Sequence, residues 1–341
     1  MVVLGRESRG LTQKQLADVL GVAQGTVSKA EMGSLAVSEE LVSRLSSVLD
    51  YPPTFFYLGG RTTGVGVAEI FHRKRQAVSA RAICKIYAQV EVCIKHVATL
   101  IKAKDIACMV RRIDVDEYEG DAEEVARLVR AAWNLPRGPV DDLTRIVERA
   151  GVIVVPLHFG TRHVDAISKW VPGLPPLFFV NEESPKDRLR YSIAHELGHM
   201  VMHDVPNLNI EPQANAFAAE FLLPARDIKA DLSELNIPKL AQLKRYWKTS
   251  MAAILMRADT LGTLTDNQIR YLWQQFSRLG YRSREPASLD VQGEQPRLMM
   301  NLLDMHRVDL GYTDEQLADL LGLHPREMHE MYRRSDGTPP Y

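Results

Sequence analysis

The chain has 341 residues, 45% of them hydrophobic and 25% charged, which is enough apolar material for two or three domains with buried cores. Its 42 Lys and Arg balance 43 Asp and Glu, so a net charge of −1 gives no overall attraction to a polyanion. Cys84, Cys93 and Cys108 are too few and too unevenly spaced for a disulfide framework or a cysteine zinc site, and no apolar run is long enough to span a membrane.

Residues 1–58 read as short helices. Leu16, Val19 and Leu20 recur at helical spacing, as do Leu41, Leu45, Val48 and Leu49. Gly10 and Gly21 separate helices, and Pro52 and Pro53 close the segment. LTQKQLADVLGVAQGTVSKAE, at 11–31, has the length of two helices joined at Gly21. Gln13 opens the first. Gln24, Thr26, Ser28 and Lys29 open the second, where a recognition helix meets base edges; Gln can pair with adenine, and Lys with guanine or phosphate. The segment resembles the Xre or phage-repressor family, with the family's glutamate at Glu31 and a match that runs through YPPTFF to residue 58. The resemblance implies binding to double-stranded DNA, and a homodimer, because such domains commonly pair. Ala23 stands where Ser or Thr usually caps the recognition helix, and Gly25 offers no side chain.

Residues 59–120 read as a linker, Gly59 to Gly66, followed by a long helical stretch over 67–112. From 61 to 112 eleven Lys or Arg face three acids, a net of +8. This run, with His72, Arg73, Lys74 and Arg75, is either a set of phosphate contacts or a solvated helical face.

Residues 121–150 read as two helices broken at 135–138, and 152–159 (VIVVPLHF) as a strand. A hairpin follows, Val164 to Val171 and Leu177 to Asn181, turning over Pro172 and Gly173. A helix is expected over 187–204 and another from Glu211-Pro212 to Leu223-Pro224. The region 231–341 reads as helices separated by Pro and Gly. It contains a repeat: GLTQKQLADVLG at 10–21 and GYTDEQLADLLG at 311–322 agree at eight of twelve positions with an offset of 301. The segment 297–333 is therefore a second helix-turn-helix-like element. Its recognition-helix equivalent carries two acids, which suits protein interaction or sensing better than DNA.

The chemistry lies in YSIAHELGHMVMHD at 191–204. His195 and His199, four apart on a helix, face one side one turn apart and can share one tetrahedral zinc. Glu196 is placed to take a proton from water that the metal activates, the H-E-x-x-H arrangement. A third ligand leaves one position for water. Glu211 on the next helix is the first candidate and Asp204 the second. His203 lies too far along the helix to join His195 on one ion, and is read with Tyr191 and Arg190 as a packing or supporting residue.

HELGHMVMH followed by EPQANAFAAEFLLP resembles the ImmA/IrrE family of metallopeptidases, over roughly 121–230. The resemblance places His195, His199 and Glu211 as ligands of Zn2+, with Mn2+ as an alternative, and Glu196 as the catalytic base. It puts Asn215 in a structural role and leaves Gln213 where a second acid is common. It implies a zincin-like fold with substrate beside an edge strand, for which Leu177 to Asn181 is the candidate. The expected architecture is multidomain and mainly α. An N-terminal helix-turn-helix domain precedes a central α+β zincin-like domain with a small antiparallel sheet and a helical C-terminal region. The expected function is a cytoplasmic DNA-binding regulator that cleaves a partner protein, a helix-turn-helix repressor in a stress response. The other reading is an antitoxin-like regulator whose metal domain senses without cleaving, and the intact Glu196 weighs against it.

Overall fold

The computed structural model describes residues 1–59, 78–103, 105–203 and 209–332. Helices α1 (Val2–Ser8), α2 (Gln13–Leu20), α3 (Gln24–Glu31) and α4 (Glu39–Leu49) build the N-terminal unit. Thr12 and Gln15 form a reciprocal capping box at the start of α2, and Gly21 ends that helix at a φ of 62°. Helix α3 starts at Ala23 with no side-chain cap, as its sequence requires.

The stretch read as helical over 67–112 does not reach its expected C-terminal end, and 67–77 lies outside the described residues. Helix α5 spans Ala80–Leu100, and 105–112 is irregular. His72, Arg73, Lys74 and Arg75 lie outside the described residues. The solvated-face reading does not hold at Lys95, which is buried and donates to the Gly59 carbonyl at 3.1 Å. Buried apolar residues on several sides of α5 (Ile86, Tyr87, Ala88 and Val92) make it an internal post.

Helices α6 (Ala122–Ala132) and α7 (Leu143–Arg149) lead to β1 (Ile153–Leu157), β2 (Ala166–Lys169) and β3 (Leu177–Asn181). The β2–β3 hairpin is antiparallel as expected, but β1 pairs with β3 in parallel, so the sheet is mixed with order β1-β3-β2. Two chain reversals separate β1 from β3 and leave them running the same way. The LFFVN strand is buried at all five positions, which suits the centre of the sheet. The edge strands are therefore β1 and β2, not Leu177–Asn181.

The sheet divides two cores by strict alternation. Val154, Phe178 and Val180 face one core with α6, α7, α8 (Lys186–Met202), α9 (Ile210–Leu222), α10 (Ile237–Trp247), α11 (Met251–Thr260) and α12 (Asp266–Arg278). Ile153, Val155, Leu177 and Phe179 face the other, with α5, the N-terminal unit and the C-terminal repeat.

The repeat folds as its offset predicts. Helices α13 (Leu298–Val308), α14 (Asp314–Leu321) and α15 (Pro325–Met331) follow α1–α3, and α14 reproduces α2 end for end, with the Thr313–Gln316 capping box and Gly322 at φ 65°. Its recognition-helix equivalent is turned inward on the N-terminal unit. Arg9 donates to both carboxylate oxygens of Glu327, at 2.6 and 2.9 Å. A Cβ on Gly322 would fall 2.7 Å from Phe55 Cα. The buried Tyr332 hydroxyl meets His96 Nδ1 at 2.6 Å.

The start of α13 has no capping side chain of its own; Glu148 of α7 accepts from the Arg297 and Leu298 amides at 2.9–3.0 Å. Burial pushes the Glu148 carboxyl up to about 7, against the pull of those amides and of Arg297. A carboxyl with a higher pKa folded than unfolded binds its proton more tightly when folded. Its stabilisation is thus complete below its ordinary value of 4.5 and is lost as pH rises towards 7. The urea midpoint of the wild type should fall relative to that of Glu148→Gln between pH 4.5 and 7.5, and parallel pH profiles would rule this out.

Candidate metal centre

Helix α8 carries His195, Glu196 and His199, and Gly198 between them permits the close approach of α9: a Cβ there would sit 3.1 Å from the Phe217 ring. Helix α9 begins at Ile210, slightly earlier than its proline suggests, so Glu211 lies in its first turn. That turn points the carboxylate at both histidines. His195 Nε2 is 3.6 Å from Glu211 Oε2, His199 Nε2 is 3.3 Å from Oε1, and the two Nε2 atoms are 2.9 Å apart. Ligands about 2.0–2.1 Å from a tetrahedral zinc are separated by roughly 3.3 Å, inside the observed spread. Among the described residues these three form the one group of His, Cys, Asp and Glu donors able to hold a metal ion. His195 is buried, while His199 and Glu211 reach solvent. Asp204, the other candidate ligand, lies outside the described residues.

Each histidine is oriented through its far nitrogen. His195 Nδ1 meets Asn215 Oδ1 at 3.0 Å. His199 Nδ1 meets His203 Nδ1 at 3.0 Å, and His203 Nε2 meets Gln213 Oε1 at 3.0 Å. Burial holds the His203 imidazole down to about 4 and therefore neutral. His203 is not part of the three-donor group, as its distance along the helix suggested. Tyr191 donates to the Asn215 carbonyl at 3.1 Å, and buried Arg190 pairs with Glu294.

Glu196 is not in the three-donor group and reaches strand β2. Its Oε2 accepts from Ser168 Oγ at 2.6 Å and from the Ser168 amide at 3.2 Å. Asp165, two residues from Ile167, bonds back to β3 through the Asn181 amide, so the alternation of the ladder turns the Ser168 amide outward, to the side of β2 away from β3. No motif in the sequence singles out Ser168. Only its place on a strand beside the metal helix could have suggested it.

In the N-terminal unit, Gln13 and Gln24 come together at 3.3 Å, and Gln13 also donates to Glu31 at 2.6 Å. Glu31 is itself held by Arg6 at 2.5 Å. Gln24 and Lys29 are exposed and Thr26 and Ser28 half-buried, so α3 keeps an open outer face.

Residues 147–259 match the family model of the IrrE N-terminal-like domain, a peptidase family, and residues 5–56 match a helix-turn-helix model. The chain thus carries a helix-turn-helix domain followed by an ImmA/IrrE-like domain. No curated protein matches it closely enough to count as a relative. No helix among the described residues is long and apolar enough to cross a membrane.

Proposed function

We propose that this protein is a DNA-binding regulator whose peptidase domain cuts a partner protein, a helix-turn-helix repressor, and so relieves repression in a stress response. The observation that carries the reading is the convergence of His195, His199 and Glu211 beside Glu196, with Glu196 tied to the outer side of strand β2. His195, His199 and Glu211 hold the metal, zinc or manganese. When bound, the cation supplies a Lewis acid that polarises the scissile carbonyl and acidifies water.

An extended substrate segment lies along β2, where outward main-chain groups can pair with it. Glu196 takes a proton from the attacking water and delivers it to the leaving amine. Ser168 holds one carboxylate oxygen and leaves the other for this exchange. The open face of α3, with Gln24, Thr26, Ser28 and Lys29 beside Gln13, meets double-stranded DNA, which brings the peptidase to promoters where its substrate sits.

The test is incubation of the full-length protein, loaded with zinc or manganese, with the helix-turn-helix repressors encoded beside it. A chelated sample is the control. Single-site fragments that vanish on chelation are the expected result. Bound metal with every repressor intact would favour a sensing role instead.

A further inference from the structure

We infer that His203 and Gln213 are positioning residues that fix the tautomer of His199. The inference rests on the metal reading above and extends it to two residues outside the ligand set. It follows from counting hydrogens. For His199 Nε2 to offer its lone pair to a cation, the neutral ring must carry its hydrogen on Nδ1. That nitrogen is 3.0 Å from Nδ1 of His203. Two ring nitrogens at this distance bond only when one carries a hydrogen and the other does not. His199 donates, so His203 Nδ1 accepts and the His203 hydrogen sits on Nε2. There it meets Gln213 Oε1, an acceptor, at 3.0 Å.

Each link in this chain has one donor and one acceptor. The reverse order would put a hydrogen on the His199 nitrogen that faces Glu211. His195 reaches the same end in one step through Asn215. Both acceptors belong to α9, as Glu211 does, so one stretch of helix supplies a ligand and orients the two others. The main chain of His203 is itself pinned, because Arg112 donates to its carbonyl at 2.6 Å.

The test uses the full-length protein, zinc competition against a chromophoric chelator, and nitrogen–proton correlation spectra of the zinc-loaded histidine rings. The spectra should show His199 protonated at Nδ1 and His203 at Nε2. His203→Ala should weaken zinc binding by about 10–100-fold, the usual effect of removing a group that orients a ligand. His203→Asn, whose Oδ1 puts an acceptor where Nδ1 lies, should recover most of that loss. His203→Gln, which reaches the Nε2 position instead, should not. Wild-type zinc affinity in His203→Ala, or Asn no better than Gln, overturns the inference and leaves the metal site standing. A wild type that binds no zinc overturns both.

Discussion

Cleavage by Glu196→Gln should be slower than wild type by roughly 10²–10⁴-fold, the range that general acid–base groups contribute. Gln keeps the length of the side chain and can still accept from Ser168 through its amide oxygen. What it loses is the basicity needed to take a proton from water. Glu196 is bonded to Ser168 of β2 and is not one of the three clustered donors, so zinc affinity should change little. That separation makes the experiment informative. A variant that binds zinc and does not cut identifies the base, whereas one that cuts within threefold of wild type removes Glu196 from the reaction. Loss of zinc together with activity would mean that Glu196 belongs to the metal site itself.

The second large effect concerns the support of α9. Arg257 has a fully buried side chain and donates to the Leu223 carbonyl at 3.0 Å and to Glu123 at 2.6 Å, and pairs with buried Glu220. Burial raises the Glu220 carboxyl above its ordinary range, and the Ala225 amide and Arg257 oppose that shift. Arg257→Met fills similar volume but leaves the buried Glu220 carboxylate only Arg127 at 3.5 Å and the Ala225 amide, which should cost about 3–5 kcal/mol. Adding Glu220→Gln should return much of it, since removing both charges removes the penalty. Urea midpoints of the single and double variants measure this. A single variant within about 1 kcal/mol of wild type would show that Glu220 is neutral, solvated or held by Arg127 without Arg257. Because Glu220 and Glu211 share α9, the single variant should also bind zinc less tightly.

Much of this site was legible because its residues obey local rules. The spacing of His195 and His199 fixes their relation on any helix, and Gly198 records how near the next helix comes. The repeat was legible for the same reason: a capping box and a left-handed glycine define α2 and α14 alike. What the sequence did not disclose depends on pairing between distant segments. The apolar strings of β1 and β3 say that both are buried but not which lies at the centre, and the hairpin alone suggested an antiparallel sheet. Ser168 acquires meaning only when β2 takes the edge. Lys95 reads as a surface charge until the helices packed around α5 are known. The acids of the second repeat argued against DNA, but that Glu327 would meet Arg9 could not be read from either copy.

The inward docking of that second copy has a consequence for synthesis. Equivalent positions of the two copies are 301 residues apart. At ribosomal rates of about 5–20 residues per second, roughly 15–60 s separate the emergence of one from the other. For that time Phe55, Leu58 and the side of α5 that carries His96 lack their final cover, and a domain made 301 residues earlier waits for the second copy to finish packing. Contacts this distant in sequence are slow to form, so the nascent N-terminal domain passes through a long interval in which its apolar face is open to chaperones and to other chains.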